Sequence, residues 1–383
     1  MAFLLHGWRF LLGIFSWDMT FFTDGETPRT LAFGLVVHAM DHGLPYNQNA
    51  IDVGVTKKGQ IRNFLRNRVK SCLTKRSKSD SVPLKRYSGV DAFTGEPFKG
   101  NPAAVCLLED DDADDRWLQS NAAVSIAAEF NVSQTAFLSR CDASSNSSTP
   151  RFRLRWFSPA VEVALCGHGT LASAHFLFTA VLAEQHDVVE FVTQSGILTA
   201  RKVPAASSLP RVTKAEEGKP FIELDFPTGD VFVDCSSTHE HELPSIFQKA
   251  APVVSVHRAA FTDDFIVELS SGEEVVEVVP NMEQLKKCAG RGVIVTGQAP
   301  PRSGYDFFSR FFSPKWGIDE DPVCGSAHCA VAPYWARKLG KQKLTAFQVS
   351  KRTGTLYLEF NAANQRIKIQ GQAVTVMVGT LLA

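Results

Sequence analysis

The stretch EDPVCGSAHCAVAPYW (residues 320–335) places an acidic pair and a proline before Cys-Gly-Ser-Ala and a run of small helix-forming residues. This order predicts that a helix begins near Cys324 and Gly325. The N–H groups of a first helical turn have no intrahelical partner, and the helix dipole is positive there. Glycine also lets a ligand approach the backbone closely. The stretch therefore predicts a site for a carboxylate or a forming oxyanion.

A second stretch with the same order, CGHGTLASAH (residues 166–175), lies in the other half of the main chain. It also follows an acidic element, PAVEVAL, and it also leads from Cys-Gly into helix-forming residues. One such corner in each half predicts two helix ends that hold an anionic substrate in a cleft between two domains. For either motif alone, tight packing of a helix on its sheet is the alternative interpretation.

From Lys85 onward the sequence alternates strands, turns and short helices, and one helix is predicted at RWLQSNAAVSIAAEF (116–130). The predicted strands include KRYSGVDAF (85–93), QTAFLS (134–139), FRLRWFS (152–158), FIELDFP (221–227), FIVELS (265–270), TLYLEF (355–360), QRIKIQG (365–371) and AVTVMVGTLLA (373–383). Many strands and few helices predict an α+β fold and not a doubly wound parallel sheet. The sequence also contains neither a Rossmann glycine fingerprint nor a Walker loop.

Composition excludes several classes of protein. The 383 residues carry 40 Lys and Arg against 40 Asp and Glu, a balance that argues against nucleic-acid binding. The eight cysteines form no CxxC pair, which is typical of reduced thiols in a cytoplasmic protein and not of a disulfide framework or a structural zinc site. His239 and His241 lack further clustered ligands, so we predict a solvated loop there and no metal.

Residues 1–84 differ in texture from the rest of the chain. MAFLLHGWRFLLGIFSW (1–17) is apolar but is interrupted by His6 and Arg9 and is too short to span a bilayer. It supports a signal or transit peptide only weakly, so organelle targeting stays open. Residues 57–86 are strongly basic, with apolar residues at four-residue spacing from Ile61 to Leu73. This segment predicts either a basic amphipathic helix or a weakly structured extension.

Five motifs, in order, resemble the PhzF family of phenazine-biosynthesis-like proteins. They are VDAFTGEPFKGNPAAV (90–105), NVSQTAFL (131–138), FSPAVEVALCGHGTLASAH (157–175), DEDPVCGSAHC (319–329) and GQAVTVMVGTL (371–381). The resemblance covers the chain from about Lys85 to the C-terminus. It implies a diaminopimelate-epimerase-like fold with two similar domains, each a curled mixed sheet or barrel around a central helix.

In this interpretation the domains are residues 85–205, joined by the last strand at about 371–383, and residues 215–370, with 1–84 as an extension. A segment rich in Pro, Ser and charged residues, 203–220, marks the boundary. The resemblance also implies a small carboxylate substrate bound between the domains, no cofactor, and a homodimer.

Gln134 departs from the family pattern. Family members carry a glutamate between Ser and Thr in an NxSET loop, where it shuttles a proton, but here the loop reads NVSQT. An amide cannot accept and return a proton near neutral pH, and loss of a general base costs about 10²- to 10⁴-fold in rate. We therefore expect Gln134 to orient the substrate by hydrogen bonds. The alternative is a degenerate binding or scaffold protein that has lost the chemistry.

His168 and Asp321 match the other polar site positions of the family, and the resemblance implies that they carry protons. Alternatively, His168 is a packed or capping residue and Asp321 an N-cap. The residues expected to bind substrate are Asn101, Ser133, Gly167, Gly169, Gly325 and Ser326.

Cys166 and Cys324 offer a second mechanism. In related racemases and epimerases of this fold, two facing cysteines deprotonate and reprotonate a stereocentre from opposite sides. A thiol at a helix N-terminus has a lowered pKa, which suits that chemistry. The third cysteine of these motifs, Cys329, lies one turn further along and is expected in the core.

Overall fold

The computed structural model describes residues 84–108, 122–141, 149–182, 186–204, 220–235, 247–248 and 252–382, and the backbone of three strands nearer the N-terminus. The chain divides into two compact units, residues 1–82 and 83–383. The predicted basic helix near Ile61–Leu73, the loop with His239 and His241, and most of segment 203–220 lie outside the described residues.

In the first unit, three strands form an antiparallel sheet: β1 (Leu11–Leu12), β2 (Phe15–Phe22) and β3 (Ala32–Ala39). In the second unit, the first group of strands is β4 (Leu84–Ala92), β5 (Asn101–Leu107), β6 (Gln134–Arg140), β7 (Arg151–Phe157), β8 (Glu162–Val163), β9 (Val188–Thr193), β10 (Gly196–Val203) and β11 (Phe221–Pro227). The remaining strands are β12 (Phe232–Asp234), β13 (Phe247–Gln248), β14 (Val253–Ala259), β15 (Asp264–Leu269), β16 (Val279–Pro280), β17 (Gly292–Gln298), β18 (Phe307–Ser313), β19 (Ile318–Asp321), β20 (Lys343–Gln348), β21 (Gly354–Asn361), β22 (Arg366–Gly371) and β23 (Ala373–Leu382).

The described helices are few. They are α1 (Ala122–Phe130), α2 (Gly167–Phe176), α3 (Gly272–Glu277), α4 (Met282–Leu285) and α5 (Gly325–Leu339), with a π-helical segment at Leu177–Val181 and a 3₁₀ turn at Pro314–Trp316. Among the helices that the structure describes, none is long and apolar enough to cross a membrane.

Apart from the β13–β16 pair, the strands of the second unit join into one closed mixed sheet. Most neighbours are antiparallel, while four pairs, β5–β6, β7–β9, β15–β17 and β18–β20, run parallel. The last strand, β23, pairs antiparallel with β4, so the end of the chain returns to the start of this unit. The mixed sheet with few helices confirms the predicted α+β class.

Helices α2 and α5 lie in the core, and each packs on its own group of strands. Helix α2 contacts β4, β5, β6, β10 and β11, whereas α5 contacts β15, β20 and β21. Both begin at the predicted Cys-Gly corners. Cys166 is the N-cap of α2 and accepts a hydrogen bond from the backbone N–H of Gly169 (3.3 Å). Cys324 caps α5 in the same way by accepting from Ala327 (3.4 Å).

Candidate active site

The N-terminal ends of α2 and α5 meet backbone to backbone. A Cβ atom added to Gly167 would lie 2.7 Å from the Cα atom of Gly325, and one added to Gly325 would lie 2.8 Å from the Cα atom of Gly167. Such distances leave no room for a side chain, so glycine at both corners permits the contact. The two motifs recognised in the sequence therefore face each other.

A cavity of about 520 Å³ opens where the two helices meet. This volume suits a small molecule. Eight residues predicted for the site line it: Gln134, Cys166, Gly167, His168, Asp321, Cys324, Gly325 and Ser326. The other three predicted residues, Asn101, Ser133 and Gly169, do not line the cavity, but each hydrogen-bonds to a residue that does: Asp321, His168 and Cys166 respectively.

Asp321 is a buried carboxyl group in the wall of this cavity, and its side chain accepts a hydrogen bond from the Asn101 amide (Nδ2 to Oδ1, 2.7 Å). Burial raises the pKa of Asp321 from 3.8 to about 7, since a carboxylate loses its hydration there, and this outweighs the opposing effects of a Val323 backbone hydrogen bond and the charge of Arg291. At neutral pH both protonation states are therefore populated. Asp321 is not the N-cap of α5, because Cys324 holds that position.

Asn101 connects Asp321 to the loop before β6. Its Nδ2 group donates to Asp321 and to the carbonyl oxygen of Val323 (3.0 Å), which uses both amide protons. Its Oδ1 atom accepts from the Ser133 hydroxyl (2.7 Å). With every polar atom satisfied, Asn101 is fixed in orientation and holds Asp321 toward the cavity.

The same network determines the protonation of His168. The Ser133 hydroxyl donates to Asn101 Oδ1 or to the carbonyl of Pro102 (3.0 Å), both of which are acceptors. Ser133 must then accept from Nε2 of His168, 3.1 Å away, so the proton of the neutral ring is on Nε2. The lone pair of Nδ1 faces the thiol of Cys166 at 3.5 Å. Burial lowers the pKa of His168 to about 3, so the ring is neutral at pH 7.

The two thiols that cap the helices are buried in the cavity wall. Burial raises the pKa of Cys324 to about 12, with the charge of Asp321 adding to the effect, and burial likewise raises the pKa of Cys166. The expectation that the helix ends lower these pKa values is therefore wrong. Desolvation disfavours the thiolate more than the helix ends favour it. Cys329 is in the core as expected.

The comparisons with known proteins agree with the motifs that carry this geometry. The family model described as PhzC-PhzF, phenazine biosynthesis-like protein, matches residues 90–379. The chain belongs to this family. The match confirms the resemblance drawn from the five motifs, and it covers both Cys-Gly corners.

PhzC-PhzF relatives match along most of their length. An uncharacterized isomerase of Halalkalibacterium halodurans is 39% identical over 293 residues, covering 76% of this chain and 97% of the relative. Phenazine biosynthesis-like domain-containing protein 1 of Mus musculus is 38% identical over 309 residues, with coverage of 76% and 97%. The crystal structure of a PhzF-family protein from Enterococcus faecalis aligns with a TM-score of 0.63 at 34% identity, covering 79% of this chain and all of that one.

Gln134 lies in the cavity wall of this PhzC-PhzF protein. Its side chain is 4% exposed, lines the cavity, and carries an Oε1 atom that is buried without a hydrogen-bond partner among the described residues. An unpaired buried oxygen is costly and is satisfied when a ligand supplies a donor. This environment fits the expected orienting role of Gln134.

Arg291 is a cavity residue that the sequence analysis missed. It precedes β17, forms an ion pair with the buried Asp264, and donates from NH1 to the hydroxyl of Ser326 (2.8 Å). Its only signal in the sequence was a lone arginine between glycines in AGRGVIV, which is typical of a turn. Only the fold brings it to the first turn of α5.

Among the described residues, no group of three or more His, Cys, Asp or Glu side chains is arranged to hold a metal ion. The polar groups of the cavity are instead single hydrogen-bonding and titratable side chains around two helix ends. Such a wall suits the binding of a small organic anion.

Proposed function

We propose that the protein is a cofactor-independent PhzF-like isomerase that moves a proton on a small carboxylate-bearing substrate held between α2 and α5. The proposal rests chiefly on one observation. Asp321, with a pKa of about 7, and the neutral His168 belong to the wall of the same cavity and are connected through Asn101 and Ser133. The isomerase names of the relatives support the same reaction class.

In this proposal the substrate carboxylate binds at the N-terminus of α5. The N–H groups of the first helical turn and the Ser326 hydroxyl supply its hydrogen bonds. Asp321 then exchanges a proton with a carbon atom of the substrate, because a group whose pKa is near 7 can take and return a proton at neutral pH. We assign His168 as the second proton carrier, on the α2 side of the cavity.

Gln134 holds the substrate by giving its unpaired Oε1 atom to an N–H or O–H group of the ligand. It contributes orientation and not proton transfer, since its amide does not titrate near neutral pH. The reaction therefore depends on Asp321, because the glutamate that family members carry is replaced by Gln134 in this chain.

The test is proton exchange from heavy water. The protein is incubated in D₂O with a panel of small amino and unsaturated carboxylic acids, and NMR follows deuterium incorporation at carbon. We expect exchange by the wild-type protein and a loss of about 10²- to 10⁴-fold in Asp321→Asn. Asp225→Asn is the matched control, since this carboxylate pairs with Arg366 outside the cavity wall.

A Gln134→Glu variant separates an active enzyme from a degenerate scaffold. If neither the wild-type protein nor Gln134→Glu exchanges any acid of the panel, the isomerase proposal fails and the scaffold interpretation replaces it. If only Gln134→Glu is active, the substitution at this position has removed the chemistry.

A two-cysteine epimerase is the second candidate, because Cys166 and Cys324 cap the two facing helices and line the same cavity. The raised thiol pKa values count against it, since thiolate formation is disfavoured. Under this candidate, Cys166→Ser and Cys324→Ser each abolish exchange. Full exchange in both variants would exclude it.

We further propose that residues 85–205 with 371–383, and residues 215–370, act as two domains around α2 and α5, in a cytoplasmic homodimer. The pairing of β23 with β4 supports the first grouping. Light scattering of the purified protein tests the dimer, and a monomer at micromolar concentration would contradict it.

A further inference from the structure

Arg291 is held rigidly at the edge of the cavity. Its Nε atom donates to Oδ1 of Asp264 (2.8 Å), its NH2 group donates to Oδ2 of the same carboxylate, and its guanidinium lies over the Phe311 ring with 5.2 Å to the ring centroid. Asp264 is fully buried, while the Arg291 side chain is 26% exposed. The carboxylate therefore fixes the arginine from behind and leaves one side of the guanidinium toward the cavity.

The remaining contact of Arg291 determines the direction of the Ser326 hydroxyl. NH1 of Arg291 donates to Oγ of Ser326 (2.8 Å), and a guanidinium can only donate. The hydroxyl proton of Ser326 must therefore point elsewhere, toward the cavity or the Cys324 sulfur at 3.4 Å. An arginine that donates to a hydroxyl also makes that hydroxyl a stronger donor, since hydrogen bonds in a chain polarise one another.

Arg291 also presents charged hydrogen-bond donors where the anion would bind. Among the described residues, it is the one lysine or arginine in the cavity wall, and Ser326 is the second residue of α5. Hydrogen bonds to Asp264 and Ser326 use three of the five N–H groups of Arg291, and the Phe311 ring covers one face of its guanidinium. Two N–H groups remain to bind an anionic oxygen. The unpaired Oε1 of Gln134 in the same cavity is an independent sign that a polar ligand belongs here.

We propose that Arg291 is a positioning and specificity-determining residue that selects a carboxylate over its uncharged amide at the α5 end of the cavity, by aiming the Ser326 hydroxyl and presenting its two remaining N–H groups. The inference deepens the proposed function and rests on it for the identity of the reacting site. Substrates enter with the carboxylate toward Arg291 and Ser326. Their remaining atoms lie along Phe261, Phe311 and Trp316, which line the same cavity.

The test compares benzoate with benzamide, which differ in charge but hardly in shape, by isothermal titration calorimetry. An aromatic probe is chosen because three aromatic side chains line the cavity. We expect the wild-type protein to bind benzoate more tightly than benzamide. Arg291→Lys keeps a positive charge but loses the planar set of guanidinium N–H donors, and should reduce this preference about tenfold. Ser326→Ala should reduce it by a similar factor.

The chain provides a matched control in Arg310. This arginine also forms a two-point pair with a carboxylate, Glu320, donates from NH1 to an oxygen, that of Val278, and lies over a Phe312 ring (5.0 Å), but it is not part of the cavity wall. Arg310→Lys therefore removes the same kind of interactions. It should lower the melting temperature without changing the benzoate-to-benzamide preference.

A double variant separates positioning from general destabilisation. If Arg291 acts through Ser326, Arg291→Lys combined with Ser326→Ala loses little more preference than Ser326→Ala alone, whereas independent effects would multiply. An unchanged preference in folded Arg291→Lys overturns the proposal. If Arg291→Lys does not fold, an unchanged preference in Ser326→Ala overturns it.

The affinities of the wild-type protein for benzoate and benzamide also test the proposal. Equal affinity for the two probes, or no benzoate binding at millimolar concentration, also overturns the proposed subsite. The outcome is separable from that of the isomerase proposal. A preference that depends on Arg291 without any deuterium exchange would refute the isomerase reaction alone, and exchange with no role for Arg291 would refute this inference alone.

Discussion

Asn101 donates a 2.7 Å hydrogen bond from its side-chain amide to the carboxyl group of Asp321, 220 positions further along the chain. Asn101 is the first residue of β5, and Asp321 is the last residue of β19. This contact joins the strands around α2 to those around α5 directly behind the cavity. It also holds a buried carboxyl group toward the cavity, and burying that group is costly for stability.

Asp321→Asn should stabilise the protein at alkaline pH. The unfolded group ionises near pH 3.8, whereas the folded group keeps its proton to a pKa of about 7. The contribution of Asp321 to stability is therefore full below pH 3.8 and is lost as pH rises from 3.8 to about 7, since over this range the unfolded state alone releases the proton. An asparagine keeps the acceptor for Asn101 without the charge. We expect Asp321→Asn to gain about 1–3 kcal/mol in unfolding free energy at pH 8.

Chemical denaturation of both proteins at pH 5 and pH 8 measures this effect. The gain should shrink at pH 5. A variant that is less stable than the wild-type protein at pH 8 would show that the carboxylate is compensated in the folded state.

Acid should destabilise the fold through three histidines, of which His168 and His328 are buried and His175 is partly buried. Burial lowers the pKa of His168 to about 3 and those of His175 and His328 to about 4, whereas the unfolded rings titrate near 6.5. Between these values the unfolded state binds more protons, so stability is lost as pH falls below 6.5. Each ring contributes a slope of about 1.4 kcal/mol per pH unit.

His328→Asn isolates one of the three rings. Nδ1 of His328 lies 2.8 Å from the carbonyl oxygen of Cys324, and an asparagine amide can replace that donor without titrating. Between pH 4.5 and 6, the slope of unfolding free energy against pH should fall by about 1.4 kcal/mol per pH unit, which is the contribution of one proton. An identical slope in the variant would mean that His328 takes up its proton at the same pH in the folded and unfolded states.

The contact between the two helix ends should not tolerate a methyl group. In Gly325→Ala the new Cβ would meet the backbone of Gly167 at 2.8 Å, and backbone atoms of two buried helices cannot move aside cheaply. We expect a loss of about 1–3 kcal/mol in stability and loss of ligand binding. Thermal denaturation and benzoate titration check both.

Gly169→Ala is the comparison for this variant. Its Cβ would meet the edge of the Trp156 ring at 2.8 Å, and a side chain can tilt more readily than a backbone. The destabilisation should be smaller than for Gly325→Ala. The reverse order would mean that the two helix ends can separate.

The buried thiols should react slowly with alkylating reagents. Because burial raises the pKa values of Cys166 and Cys324, little thiolate is present at pH 8. Mass spectrometry after iodoacetamide treatment should show Cys141 and Cys288, which are only half-buried, modified before the two capping thiols. Modification of the two capping thiols should accelerate as pH rises toward 10. Rapid alkylation at pH 7 would instead favour the two-cysteine mechanism.

The local signals in the sequence were reliable. The strand periodicity of residues 355–360 and 365–371, and the helix starts after Cys166 and Cys324, depend on neighbouring residues and could be predicted from them. Family motifs gave the fold class and the cluster around His168 and Asp321, because ordered motifs carry information about distant contacts that periodicity lacks.

By itself, the sequence determined which residues begin the two facing helices, since capping, glycine and the spacing of apolar residues act over a few positions. Only the tertiary structure decided the protonation of the site. It buried Cys166 and Cys324 so that their pKa values rise instead of falling, and it brought Arg291 against Ser326 from a distant turn. The physical reason is that desolvation and charge act through space, so they depend on everything packed around a group and not on its neighbours in the chain.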